Sequence, residues 1–245
     1  MKKDKIYNFV DIHTHILNKV DDGSQSIEES INLLKEAKQV GVKEIILTPH
    51  YYKGLYTEKN AIILSKYNEL LKKLEENKIN IKLHIGREIY MTPDISKEII
   101  NGDVSCLANS KYVLLETSFE VRQLYLENEF KKLIENGYKP IFAHVERYNF
   151  VQKDINALDD FINMGVKIQS NYVSILGMYG KKAQKTVKKL LKGEKIDYMS
   201  SDVHREQTIY QYIPNAIEKI EKLVSSDYLE KITYMNAKNI INEMV

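Results

Sequence analysis

Asp11-Ile12-His13-Thr14-His15 closes a short apolar run, Ile6 to Val10, of the kind that forms a buried first β-strand. Successive strand side chains alternate faces, so His13 and His15 project the same way, about 7 Å apart along the chain. Two parallel imidazoles on a rigid strand end make half of a metal site. Alone, the pattern suits a solvated strand end equally well. The metal reading gains its weight downstream, where the other histidines and several acids recur at similar places.

Working outward, Ser26-Ile27-Glu28-Glu29 has capping-box spacing, and Gly41 is the natural stop of the helix it starts. Lys43 to Thr48 is expected as a strand ending on Pro49-His50. After a tyrosine-rich loop, Tyr51 to Tyr56, the residues Ile63, Leu64, Tyr67, Leu70, Leu71 and Leu74 recur at helical spacing. Ile79 to Ile85 is a further strand, ending in Gly86-Arg87-Glu88, and Pro93 to Asn109 reads as a short helix and a connection. Strands at Lys111 to Leu115 and Lys139 to Ala143 deliver Glu116 and His144, with a helix from Leu124 to Asn136 between them. Asp154 to Met164 and Ala183 to Leu191 read as helices, Val166 to Gln169 and Ile196 to Met199 as strands, and the last strand delivers Asp202 and His204. Helices from about Ile213 to Met244 close the chain.

Alternation of strand and helix with short connections implies a parallel sheet, either an open doubly wound sheet or a closed barrel. The polar residues decide. His13, His15, His50, Glu88, Glu116, His144, Asp202 and His204 all fall at or just past C-terminal strand ends. Only in a barrel do those ends converge on one face, so one α/β domain over residues 1–245, a barrel of about seven strands, is expected.

Composition narrows the function. The 36 basic and 34 acidic residues nearly cancel, which gives no general case for nucleic-acid binding. The single cysteine, Cys106, excludes an intrachain disulfide and suits a reducing compartment. It lacks the phosphate-cradling loop of a cysteine phosphatase and is expected to be a buried thiol. No apolar run is long enough to insert in a bilayer and Met1 to Val10 does not read as a signal peptide, so a cytoplasmic protein is expected. His84, inside a strand, is expected to be structural. Imidazoles mixed with hard carboxylates suit manganese, iron or zinc, and so many donors suit more than one ion.

Asp11-Ile12-His13-Thr14-His15, Val20-Asp21-Asp22-Gly23, Thr48-Pro49-His50, Gly86-Arg87-Glu88, His144-Val145-Glu146-Arg147-Tyr148 and Ser201-Asp202-Val203-His204 occur in that order. This resembles the PHP (polymerase and histidinol phosphatase) superfamily, and within it the manganese-dependent tyrosine phosphatases of Gram-positive capsule and exopolysaccharide operons. The resemblance implies a distorted (β/α)7 barrel with three Mn²⁺ ions, iron or zinc being the other candidates. His13, His15, Glu88 and Asp202 would hold one ion, and Glu88 would bridge to a second held by His50 and His144. Asp22, Glu116 and His204 would complete the third position. Arg147 would bind the phosphate. The family's second arginine has no counterpart between Glu206 and Tyr212, which leaves Arg205, earlier in the chain, as its substitute.

The resemblance further implies hydrolysis of phosphotyrosine by a metal-bound hydroxide. The partner would be the phosphotyrosine tail of a membrane-associated tyrosine autokinase that governs polysaccharide export. Two other functions fit the same residues: a small-molecule phosphoesterase of the histidinol-phosphatase type, and a non-catalytic, metal-stabilised binding module. Tyr51, Tyr52 and Tyr56 read either as a platform for a substrate ring or as a partly buried lid.

Overall fold

The first strand, β1 (Phe9–Asp11), pairs in parallel with β2 (Val42–Leu47) after the intervening helix α1 (Ile27–Val40). The computed structural model describes residues 7–243, so Ile6 and Met244, placed above in the first strand and last helix, lie outside the described residues. Helix α1 begins as its sequence predicts: Ser26 Oγ accepts from Glu29 N at 3.1 Å, and Glu29 Oε2 accepts from Gln25 N at 2.8 Å. It ends on Gly41, whose φ of 101° is left-handed.

Two strands then bend. Strand β2 gives way after Leu47 to β3 (His50–Tyr51), and beyond α2 (Asn60–Glu76), β4 (Lys82–Ile85) gives way to β5 (Glu88–Tyr90). The halves stay in step: Gly86 N donates to Leu47 O at 2.8 Å, and Glu88 N to Pro49 O at 3.3 Å. Pro49 has no N–H for a ladder. At Gly86, an added Cβ would stand 2.9 Å from the Leu107 backbone. The sequence reading missed β3 and β5 because a two- or three-residue segment after a break carries no periodicity of its own.

The remaining strands are β6 (Tyr112–Glu116), β7 (Lys139–Phe142), β8 (Lys167–Asn171) and β9 (Tyr198–Ser200). Between them run α3 (Ile95–Ile100, before β6), α4 (Leu126–Glu135), α5 (Asn149–Lys153), α6 (Asp159–Met164) and α7 (Gly180–Lys192). Every ladder is parallel, in the orders β1-β2-β4 and β3-β5-β6-β7-β8-β9. A parallel bridge between Thr14 and Val203, just beyond β1 and β9, closes the ring. With each bent pair counted as one strand, this is the expected distorted (β/α)7 barrel.

Alternation along the strands makes two layers of core. Val10, Ile46, Leu114, Ile141 and Tyr198 form an inner cluster, while Phe9, Ile45, Val113, Phe142 and Met199 belong to the cluster shared with the helices. The chain closes with α8 (Ile213–Glu221), α9 (Ser226–Glu230) and α10 (Asn236–Asn242), and Ala237, Ile240 and Ile241 of α10 pack into the inner cluster. The barrel interior is therefore filled, and polar chemistry is left to the C-terminal strand ends.

Candidate metal centre

At those ends the imidazoles and carboxylates meet. His13 Nε2 and His15 Nε2 stand 3.3 Å apart, and each is 3.1 Å from Glu88 Oε2. Asp202 Oδ1 lies 3.3 Å from His13 Nε2 and 3.6 Å from His15 Nε2. These four side chains form one set of donors that converge on a common point. His50, Glu88 and Glu116 form a second: His50 Nδ1 is 3.1 Å from Glu88 Oε2 and 3.2 Å from Glu116 Oε1. His144 Nε2 joins it, 3.0 Å from Glu88 Oε1 and 3.6 Å from Glu116 Oε2. His15, Asp22, His50 and His204 form the third, with Asp22 Oδ1 3.5 Å from His50 Nε2 and 3.6 Å from His204 Nε2. Glu116 thus stands with Glu88, His50 and His144 rather than with Asp22 and His204.

The chain bends to make this possible. His144 and Asp202 have left-handed φ values of 35° and 56°, a conformation that costs a non-glycine residue roughly 1 kcal/mol or more and is held by its surroundings. Gly23 lets the Asp-Asp-Gly turn fold onto His15, since a Cβ there would lie 2.1 Å from the His15 carbonyl oxygen. Asp11, in β1, ties the far end of the chain to the near one: its carboxylate accepts from Ser201 N and Tyr210 OH, both at 3.0 Å.

Burial sets the electrostatics. Alone it would raise the pKa of Glu88, but the charges of His13 and His50 hold that carboxyl well below its ordinary value. Alone it would lower that of His15, yet the Asp21 carboxylate lifts it well above the usual imidazole value. Hydrogen bonds to Glu116 and Glu88 likewise outweigh burial at His144 and push it up to about 10. The first set is sealed from solvent, with side chains 0–3 % exposed, whereas Asp22 and His204 are 54 % and 30 % exposed and mark the mouth.

The donor set fits divalent cations. Two imidazole nitrogens and two carboxylate oxygens of the first set converge with separations of 3.1–3.6 Å, a mixed nitrogen and oxygen set that one cation can share. The outer contacts agree. His15 Nδ1 donates to Asp21 Oδ2 at 2.8 Å, which frees Nε2 as a ligand atom. Behind the first set, Gln169 Oε1 accepts from His144 N at 2.7 Å and stands 3.4 Å from His13 Nδ1. Gln169 Nε2 donates to Asn171 Oδ1 and Asn171 Nδ2 to Asp202 Oδ2, both at 2.8 Å. The sequence reading missed Asp21, Gln169 and Asn171 as site residues. The signal was there in β8, where Gln169 and Asn171 are polar residues at the C-terminal end of a strand.

Arg147 reaches the centre. Its Nη1 donates to Asp202 Oδ2 at 3.0 Å, and its guanidinium lies between the rings of Phe119 and Tyr179, 4.3 and 4.4 Å away. The flat group is clamped by π-faces and its other N–H groups have no protein partner among the described residues. Arg205 does not join it: its Nη1 donates to Glu29 Oε1 and Oε2, at 3.3 and 3.0 Å, on the surface. His84 lies away from the centre, 3.0 Å from Glu44, and burial pushes the Cys106 thiol up to about 11, which keeps it protonated at neutral pH. Within the tyrosine-rich loop, Tyr52 and Tyr56 bond to each other's backbone, Tyr56 stacks on His50 at 5.5 Å and Tyr52 on Tyr90 at 4.1 Å.

A (β/α)7 barrel whose C-terminal face gathers three candidate metal-binding groups is the class of protein that fold and site define. The family model for capsular polysaccharide synthesis proteins CpsB/CapC matches residues 9–242, and the chain belongs to that family. CapC of Staphylococcus aureus is 35 % identical over 195 residues, 80 % of this chain and 76 % of that protein. A crystal structure from work on YwqE of Bacillus subtilis and CpsB of Streptococcus pneumoniae, described as unique metal-dependent tyrosine phosphatases, is 27 % identical. It superposes with a TM-score of 0.90 over 96 % of this chain and 95 % of that one. The histidinol phosphate phosphatase of Lactococcus lactis, 16 % identical, shares the fold, with a TM-score of 0.59 over 94 % of this chain and 98 % of that one.

Proposed function

We infer that this chain is a metal-dependent protein-tyrosine phosphatase of capsule synthesis. The observation that carries the reading is the convergence of the three donor sets beside Arg147, whose guanidinium is anchored to Asp202 at one edge only. His13, His15, Glu88 and Asp202 would hold one cation, His50, Glu88, Glu116 and His144 a second, and Asp22 and His204 with His50 a third. Bound there, divalent cations supply hydroxide at neutral pH and neutralise phosphoryl oxygens. Asp21 fixes the tautomer of His15, and the Gln169–Asn171 pair sets the pose of Asp202. Arg147 offers the phosphate a planar fork whose charge persists at every working pH. A phenolate, with a pKa near 10, leaves with less help from an acid than an alkoxide needs.

Manganese is the metal we assign, because imidazole and carboxylate together suit it better than magnesium. The substrate we assign is the phosphorylated, tyrosine-rich tail of a capsule tyrosine autokinase, and the setting the cytoplasm. No helix among the described residues is long and apolar enough to cross a membrane. The test is hydrolysis of phosphotyrosine peptide against histidinol phosphate by protein stripped with chelator and reloaded with a metal series. The reading predicts activity on the peptide, lost on stripping and restored better by Mn²⁺ than Mg²⁺. Full activity in metal-free protein would sink it; a strong preference for histidinol phosphate would transfer the site to small metabolites. Metal-loaded protein that binds the peptide and leaves it intact would make it a binding module.

A further inference from the structure

Helix α7, Gly-Lys-Lys-Ala-Gln-Lys-Thr-Val-Lys-Lys-Leu-Leu-Lys, carries no acidic residue. Ala183, Thr186, Val187, Leu190 and Leu191 are buried, which commits its lysines to the outer surface. Lys182, Lys185 and Lys189 recur at helical spacing and line one side of a groove of about 360 Å³. Asn149, Gln152 and Lys153 of α5 line the other. These four lysines are exposed, and none has a carboxylate partner among the described residues, whereas Lys132 and Lys195 are paired with Glu129 and Asp159. Four unpaired ammonium groups around one groove give it a local positive potential that attracts an anion.

The groove adjoins Arg147. Gln152 Nε2, on its wall, donates to the carbonyl oxygens of Glu146 and Arg147 at 3.0 and 3.3 Å. Tyr179, the residue before α7, stands 4.4 Å from the Arg147 guanidinium. The carboxylate of Glu120 accepts from Asn149 Nδ2 at 3.0 Å and sets one negative charge at the rim against the four lysines.

We propose that this groove docks the acidic flank of a phosphotyrosine segment, so that the enzyme selects target tyrosines with carboxylates or further phosphates beside them. The proposal rests on the phosphatase reading for its substrate, while the groove is tested by itself. Two fluorescent peptides would carry a non-hydrolysable phosphonate analogue of phosphotyrosine, one with Asp/Glu flanks and one with neutral flanks. Anisotropy on metal-loaded protein should show the acidic peptide bound about tenfold tighter at low salt, the gap closing toward 0.5 M salt, where screening shrinks to roughly 4 Å. The variant K182Q/K185Q/K189Q should lose the gap and keep parental metal content and p-nitrophenyl phosphate turnover, since a small aryl phosphate does not reach the groove.

Equal affinity of the parent for both peptides, or an undiminished gap in the triple variant, would overturn the proposal. So would lysine-dependent binding of an oligonucleotide or of phosphatidylserine vesicles without any preference between the peptides, which would assign the groove to another anion. A parent that cleaves neither p-nitrophenyl phosphate nor phosphopeptide would overturn the phosphatase reading instead, and would do so whatever the anisotropy gave.

Discussion

Asp21→Asn is the sharpest perturbation of the centre that leaves every ligand in place. Asp21 Oδ2 accepts from His15 Nδ1 at 2.8 Å and His50 N at 2.9 Å, and Oδ1 accepts from Gly23 N at 2.9 Å. Asparagine has one oxygen for these two positions. If it keeps the side of His15 and His50, its amide meets the Gly23 N–H, donor against donor, at a cost of about 1–3 kcal/mol in the turn. The larger expected effect is electrostatic. Although burial favours its neutral form, Asp21 is kept ionised by His15, and that charge makes Nε2 of the same ring a stronger donor. Its loss should weaken metal binding about 10–100-fold, or about 1.4–2.7 kcal/mol. Competition against a chromophoric chelator measures the metal affinity directly, and thermal unfolding of the metal-free protein reports the damage to the turn. Turnover of p-nitrophenyl phosphate should return largely to the parental value at saturating Mn²⁺, because Asp21 is a positioning residue. If folded Asp21→Asn protein binds Mn²⁺ within about twofold of the parent, less than about 0.5 kcal/mol, the coupling through His15 does not exist.

Glu88→Gln keeps the shape of the side chain shared by two donor sets but removes its charge; metal content and kcat should both fall, and a full metal complement with normal turnover would show that it bridges nothing. Arg147→Ala should lower kcat/KM on phosphotyrosine roughly 10²-fold with metal content unchanged, and Arg147→Lys should recover little, since an ammonium lacks the fork. Arg205→Ala should have a small effect, given its pairing with Glu29; a comparable loss would mean that it leaves Glu29 for the phosphate. Glu129, on the buried side of α4, faces Ser96 of α3 and is 1 % exposed. Burial would raise its pKa, but bonds from Lys132 and from the Ser96 hydroxyl and N–H hold it below the ordinary value. A depressed carboxyl pKa stabilises the fold above the unfolded value, near 4.5, and that stability is lost as pH falls through the folded value. Glu129→Gln should therefore lower stability by about 1–2 kcal/mol at pH 7 and flatten the acid limb of a Tm-against-pH curve; parallel curves would refute it.

The barrel was legible because burial leaves a strong mark: seven apolar segments alternating with helices, six of them followed by a polar group that only a convergent face explains. Capping at Ser26 and Gly41 was equally plain, since caps are local. The bends at Pro49 and Gly86 were not, nor was α5, five residues long and in a stretch to which no element was assigned. These depend on where the barrel needs curvature, which no short window contains. The same division holds at the centre. His13, His15, His50, Glu88, Glu116, His144, Asp202 and His204 stood out by chemistry and position, whereas Asp21, Gln169 and Asn171 act through hydrogen bonds to other residues. Arg205 shows the converse, a residue close in sequence to the site whose side chain is turned to Glu29.

The bridge from Thr14 to Val203 sets an order of events during synthesis. His13 and His15 leave the ribosome early, and Asp202, which completes their donor set, follows 187 residues later (202 minus 15). At about 5–20 residues per second, that is a delay of roughly 9–37 s in which the first two imidazoles have no partner from the last strand. The buried donor set is thus completed last, and a cation held there would certify that the ring has closed. Nascent chains arrested before Ser200 should hold Mn²⁺ no better than an unstructured peptide, and loading should appear abruptly once Asp202 has cleared the exit tunnel.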